Sequence, residues 1–319
     1  MASDRSRVTG ITSQARLVKE TDAQVPTNGA VLAATITEPL TPGPHPGIVI
    51  VQGSEPGQRI DYGVWVGLYA SLGLTVLTYD KRGNGASTGT YPGELPSDSN
   101  LGIYAADAAT VLRFLASWPG VDPKRVGFHG GSQGGWTVPL AIGRHQAPAA
   151  FAILVSGPAV TVDQQGVWAA FSASSQVLPS ASPEAMNAEV RATTSSGYVP
   201  STVLATIRQP MLWANGAADR QVPTTVNAEI LRNFHHSNWD IEILPGVRPR
   251  AFRESEWARA GRAESNQAGE RPSRSDRGLA RPDGWCSSLN QRQSRVRFGA
   301  RCRRTRPNGF RPSSAWMNR

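Results

Sequence analysis

Short uninterrupted apolar runs, each followed by a helix-like pattern, constrain this chain more than any other feature. Residues 47–51 read GIVIV, as expected of a strand buried on both faces of a parallel sheet, and 74–79, 151–155 and 211–214 read the same way. Helical spacing lies between them at about 62–71, 101–117 and 133–144, and strand–helix alternation of this kind implies a doubly wound α/β sheet. Upstream, 16–20 and 30–37 look like strands around the turn signal Pro26-Thr27-Asn28-Gly29, so an antiparallel hairpin should begin the fold. Downstream, 226–234 should be a helix and 239–244 the last strand. Residues from about 161 to 202 break the alternation with an Ala-, Ser- and Gln-rich stretch carrying Trp168 and Phe171. We read it as a cap over a site at the end of the sheet, a plain surface insertion being the alternative.

The formal charge of +9 suggests an anionic partner until it is divided along the chain. Residues 248–319 hold 18 arginines against six acids, a net of +12, which leaves 1–247 at a net of −3. Those last 72 residues contain only six Leu, Ile, Val and Phe, too few to bury a core, so the tail is expected to be disordered. It has no repeated aromatic or RGG spacing and is not read as a nucleic-acid-binding arm. Both cysteines, Cys286 and Cys302, lie in it, so the body offers no thiol as nucleophile or metal ligand. The opening MASDRSRVTG is polar and no run of eighteen apolar residues occurs, which predicts a cytoplasmic protein without a membrane span.

Gly130-Gly131-Ser132-Gln133-Gly134-Gly135-Trp136 follows an apolar run and opens a helical stretch, the strand, tight turn and helix of a nucleophile elbow. Ser132 is therefore the candidate nucleophile, and Gly130, Gly134 and Gly135 are expected to allow close backbone approach around it. The N–H of Gln133, at the helix start, would stabilise an oxyanion. A second donor should come from the loop after the third strand, Gln52-Gly53-Ser54-Glu55-Pro56-Gly57, and we assign it to the backbone of Ser54. An acid should follow the serine in the chain. Asp219, at the tip of Gly216-Ala217-Ala218-Asp219-Arg220-Gln221-Val222-Pro223, fits that place, its other reading being a cap on the helix near Pro223. These motifs call for no cofactor and no metal.

Taken together, residues 16–247 resemble the α/β-hydrolase superfamily, and within it the dienelactone-hydrolase-like and serine aminopeptidase-like esterases. The elbow, the 53–57 loop, the 216–223 loop and Tyr79-Asp80-Lys81-Arg82-Gly83-Asn84-Gly85-Ala86-Ser87-Thr88-Gly89 match that branch in order and spacing. We read the Asp80 to Gly89 loop as structural, since it lacks the spacing of a phosphate-binding motif. The resemblance implies an α/β-hydrolase fold and hydrolysis of a carboxylic ester or acyl-peptide amide through an acyl-enzyme, the partner being that small substrate.

The resemblance also implies a histidine after the last strand, in a stretch like Pro-Gly-x-x-His. Here the stretch is Pro245-Gly246-Val247-Arg248-Pro249, and no histidine follows His236. Proline cannot act as a base. His45, His129, His145, His235 and His236 are not good substitutes by position, His129 being read as packing beneath the elbow. The Arg-rich composition starts at the same point, and the closing helix of the fold is missing. One cause would account for all three, and we hypothesise it: a frameshift near the codons for Val247 and Arg248, since Arg-Pro-Arg can be encoded so that a one-base shift reads Asp-His-Gly. The sequence thus supports a serine hydrolase impaired by loss of its base, with a non-catalytic binding protein of the same fold or an inactive truncated product as the rivals.

Overall fold

The computed structural model describes residues 18–173 and 182–245. Its strands are β1 (Val18–Thr27), β2 (Ala30–Pro39), β3 (His45–Val51), β4 (Thr75–Tyr79), β5 (Val121–Gly131), β6 (Ala152–Val155), β7 (Met211–Gly216) and β8 (Trp239–Leu244). They form one sheet in the order β1-β2-β4-β3-β5-β6-β7-β8. The β1/β2 and β2/β4 pairs are antiparallel and every other neighbouring pair is parallel. This is the expected α/β-hydrolase architecture, a doubly wound sheet led by a hairpin.

The hairpin is longer and tighter than its sequence suggests. Pro26 and Thr27 continue β1, leaving Asn28 and Gly29 as the turn, and Pro26 pairs with Val31. A proline is tolerated there because β1 is the outer strand, where a missing N–H breaks no inner ladder. Gly29 has φ +76°, a left-handed conformation that suits glycine.

The helices are α1 (Gly63–Ser71), α2 (Asp98–Ala116), α3 (Gly134–Gly143), α4 (Val162–Ala173), α5 (Pro183–Ala192), α6 (Pro200–Leu204) and α7 (Thr224–Arg232), with a 3₁₀ turn at Arg59–Tyr62 before α1. Ser97 caps α2 by accepting from Asn100 N at 3.1 Å, which contributes about 1 kcal/mol. Leu101, Ala105, Ala108, Leu112 and Leu115 recur along the buried face of α2. They join Val49, Leu77, Phe128 and Trp213 from the sheet in the main core, while Ile48, Ile50 and Val76 form a second core with Tyr69 and Ala70 of α1. Both faces of the central strands are thus covered, which is why they read as unbroken apolar runs.

The segment about 161–202 supplies α4, α5 and α6 between β6 and β7. Val160, Trp168, Val190 and Val226 make a small core that ties α4 and α5 to α7, and Arg191 meets Glu229 in two bonds of 2.9 and 2.7 Å. No helix among the described residues is long and apolar enough to cross a membrane. The Arg-rich tail and the first residues of the strand expected at 16–20 lie outside the described residues.

Candidate active site

Ser132 sits between the end of β5 and the start of α3, with φ +50° and an exposed position. A left-handed conformation in a serine costs on the order of 1–3 kcal/mol and persists only where its surroundings over-determine it. Here Ser132 N donates to Val155 O at 3.2 Å, while Ser132 O accepts from Gly135 N at 2.8 Å. The glycines supply the rest. A Cβ on Gly130 would lie 2.8 Å from Leu154 Cδ2, one on Gly134 3.3 Å from Val51 O, and one on Gly135 2.6 Å from Gly157 Cα. Gly157, which the sequence reading missed, is the other half of that last contact; its signal is the Ser156-Gly157-Pro158 turn directly after a buried strand.

The loop after β3 lies beside the elbow, because Val51 pairs with Gly130 in the sheet. Among the described residues neither Gln133 N–H nor Ser54 N–H has an acceptor. Three successive carbonyls of the loop, in contrast, are held from outside it. Lys81 Nζ donates to Gly53 O and, at 2.9 Å, to Glu55 O, and the Tyr91 hydroxyl donates to Ser54 O at 3.0 Å. A cavity of about 10 Å³ beneath is lined by Val51, Gln52, Lys81, Tyr104, Gln133 and Thr137, among others. The Asp80 to Gly89 loop is locked in place. Asp80 accepts from Arg59 N, Arg59 Nη1 and Ala86 N at 2.7, 2.6 and 2.8 Å, and Arg82 forms a two-pronged pair with Asp107 at 2.7 and 2.6 Å.

Asp219 lies in the loop after β7 and is 3% exposed. Its Oδ1 accepts from Gln221 N at 2.7 Å and Val222 N at 2.9 Å, whereas Oδ2 has no partner among the described residues. It does not cap α7, whose N-cap is Pro223 with no side-chain cap. Burial pushes its carboxyl up from the ordinary value, opposed by the N–H groups of Val222 and Gln221. The Ser156 hydroxyl also opposes that shift without making an ordinary hydrogen bond. Helix α4 clamps the loop: Trp168 Nε1 donates to Asp219 O at 3.2 Å and Gln165 Nε2 to Gln221 O at 2.8 Å.

Ser132, Ser54 and Asp219 follow β5, β3 and β7, so all three stand at the C-terminal edge of the parallel strands. Ser132 and Asp219 are two strands apart, roughly 10 Å across the sheet. An imidazole hydrogen-bonded through both ring nitrogens spans about 7–8 Å, so the two side chains can act together only through a third group.

None of the chain's five histidines is that group. His45 opens β3, His235 and His236 precede β8, and His145 follows α3, which runs back against the strands; all four stand at the opposite edge. His129 is within β5, its Nδ1 2.9 Å from the Tyr69 hydroxyl and its ring 4.3 Å from that of Trp65. Burial pulls its pKa down to about 3, which keeps it neutral. Among the described residues no cluster of three or more His, Cys, Asp or Glu side chains is arranged to hold a metal ion.

Among solved structures, acetyl xylan esterase 1 from Thermoanaerobacterium sp. JW/SL YS485 is 19% identical over 76% of this chain and 81% of its own, with a TM-score of 0.51. An esterase of Pyrococcus furiosus is 16% identical over 83% of this chain and 99% of its own, with a TM-score of 0.53. A 2,6-dihydroxy-pseudo-oxynicotine hydrolase is 16% identical over 76% and 67%, with a TM-score of 0.54. At such identities these likenesses speak for the fold. No curated protein sequence gives a significant match. Residues 64–244, more than half of the chain and including Ser132 and Asp219, match the prolyl oligopeptidase family. The chain belongs to the prolyl oligopeptidase family, a group of hydrolases within the α/β-hydrolase superfamily.

Proposed function

We propose that this protein is a serine hydrolase of carboxylic ester or acyl-peptide amide bonds whose site lacks its base. The observation that carries the reading is Ser132 itself, exposed at φ +50° between a buried strand and a helix N-terminus. Ser132 Oγ attacks the carbonyl carbon, and the N–H groups of Gln133 and Ser54 receive the charge that develops on its oxygen. In a complete site an imidazole held by Asp219 takes the serine proton and returns it to the leaving group, and water then releases the acyl group. The segment 161–202 acts as the cap that selects the substrate, and its hold on the Asp219 loop supports that role.

Without the imidazole the serine proton has no positioned acceptor, so turnover falls by about 10⁴-fold or more against an intact relative. Hydrolysis of p-nitrophenyl acetate measures this: the residual rate should be that low and change little further in Ser132→Ala, because triad members act as a unit, and turnover at a relative's level would contradict the impairment. The frameshift reading is supported by the end of the family match at Leu244, just before Pro245-Gly246-Val247-Arg248-Pro249. The nucleotide sequence across codons 244–260, read in three frames, tests it.

A second reading, a non-catalytic binding protein on the same fold, is favoured by the position of every histidine away from the site edge. A fluorophosphonate separates the two. Covalent labelling that Ser132→Ala abolishes supports the hydrolase, and no labelling supports a binding protein or an inactive product.

A further inference from the structure

Lys81 is a cation where a cation is costly. It is 4% exposed, and among the described residues no carboxylate forms an ion pair with it. Its ammonium lies 4.7 Å from the centre of the Tyr104 ring and donates to two backbone carbonyls, those of Gly53 and Glu55, one on either side of Ser54. Burial draws its pKa down to about 8, against the upward pull of Glu55 and Glu94. A lysine held at that cost, with its hydrogen bonds spent on one loop, is a candidate for a task in that loop.

The task follows from the planarity of the peptide unit. In a trans peptide the C=O of one residue and the N–H of the next point in opposite directions, so fixing Gly53 O fixes the aim of Ser54 N–H. Lys81 comes from the end of β4, on one side of β3, and Ser132 from the end of β5, on the other. Drawing Gly53 O towards Lys81 therefore turns Ser54 N–H towards the elbow, where it has no acceptor among the described residues. Tyr91 acts one plane later: by holding Ser54 O it sets the N–H of Glu55, not that of Ser54.

We propose that Lys81 is the positioning residue of the oxyanion site, aiming Ser54 N–H at the oxygen of the group bound to Ser132 by holding the Gly53 and Glu55 carbonyls. This rests on the serine-hydrolase reading above. The ammonium suits the role because it carries three donors and no acceptor. An arginine is not its equivalent, since a planar guanidinium presents a rigid fork of donors where the ammonium is a compact point charge.

The test is the saturation kinetics of a fluorophosphonate, in which Ser132 Oγ bonds to phosphorus as fluoride leaves and the serine proton passes to solvent. Lys81→Met should lower the maximal labelling rate by about 10²-fold while leaving the half-saturating probe concentration within about twofold, because the donor acts on the transition state. Tyr91→Phe should change the rate no more than about threefold. Lys81→Gln, which can hold one carbonyl, should fall between and carries the test if thermal melting shows Lys81→Met unfolded. Unchanged labelling in Lys81→Met or Lys81→Gln overturns the proposal, as does a loss confined to half-saturation or a failure of both variants to fold, which would make Lys81 a structural strut. If the unsubstituted chain is not labelled at Ser132, the serine-hydrolase reading fails first, and the two failures are thereby told apart.

Discussion

At the scale of single residues the site is a set of groups held ready at a cost. Asp219 is the sharpest case, with two backbone N–H groups on Oδ1 and nothing among the described residues on Oδ2. Its carboxyl titrates above the ordinary value because burial disfavours the charge. The folded state therefore binds the proton more tightly than the unfolded chain, so stability falls as pH rises from the unfolded value of 3.8 through the raised folded one. In its ionised form the buried group is a burden. Asp219→Asn keeps an oxygen for Gln221 and Val222, removes the charge and offers an N–H towards Ser156. We expect it to stabilise the fold by about 1 kcal/mol, raising Tm by about 2–4 °C in a domain of this size, as followed by circular dichroism. A lower Tm would mean that Oδ2 has a partner and that the acid is not waiting for a donor. Lys81 shows the limit of reading residues from sequence: a lysine in a polar loop reads as a surface cation, and only the fold brings Gly53, Glu55 and Tyr104 around it.

At the scale of elements, the strand–turn–helix of β5, Ser132 and α3 depends on backbone contact that side chains would prevent. A Cβ on Gly135 would meet Gly157 Cα, Gly157 C and Pro158 N, all at 2.6 Å and all backbone or next to it, so nothing soft can yield. Gly135→Ala should cost about 3 kcal/mol or more, a loss that denaturant melts resolve, and should slow labelling of Ser132 by moving the elbow. A melt unchanged within 0.5 kcal/mol, a threshold of about the size of a neutral surface change, would show that α3 does not press on the turn after β6. Most of this layer was legible: the central strands and the helices that cover them announce themselves as apolar runs and helical spacing because both faces of the sheet are buried. What was not legible depends on partners far away in sequence. Pro26 reads as a turn until β1 proves to be an outer strand, and Gly157 has no meaning until Gly135 is placed against it. The order of α4, α5 and α6 was hidden because the segment 161–202 packs through a few residues, Trp168 and Val190 among them, onto α7.

At the scale of the whole molecule, an eight-stranded sheet presents a serine, two N–H groups without an acceptor among the described residues and a buried acid at one edge and keeps its histidines at the other or within the core. The candidate nucleophile, acid and oxyanion loop were legible as candidates because each follows an apolar strand, and the proposed loss of the base rests on a proline at the place where the resemblance implies a histidine. The central claim is that Ser132 and the N–H groups of Gln133 and Ser54 converge on one reacting atom. A crystal structure of the fluorophosphonate-treated protein measures this directly. We predict phosphorus bonded to Ser132 Oγ with its phosphoryl oxygen about 2.7–3.1 Å from both N–H nitrogens. An adduct on any other residue, or a phosphoryl oxygen turned away from both donors, would contradict it.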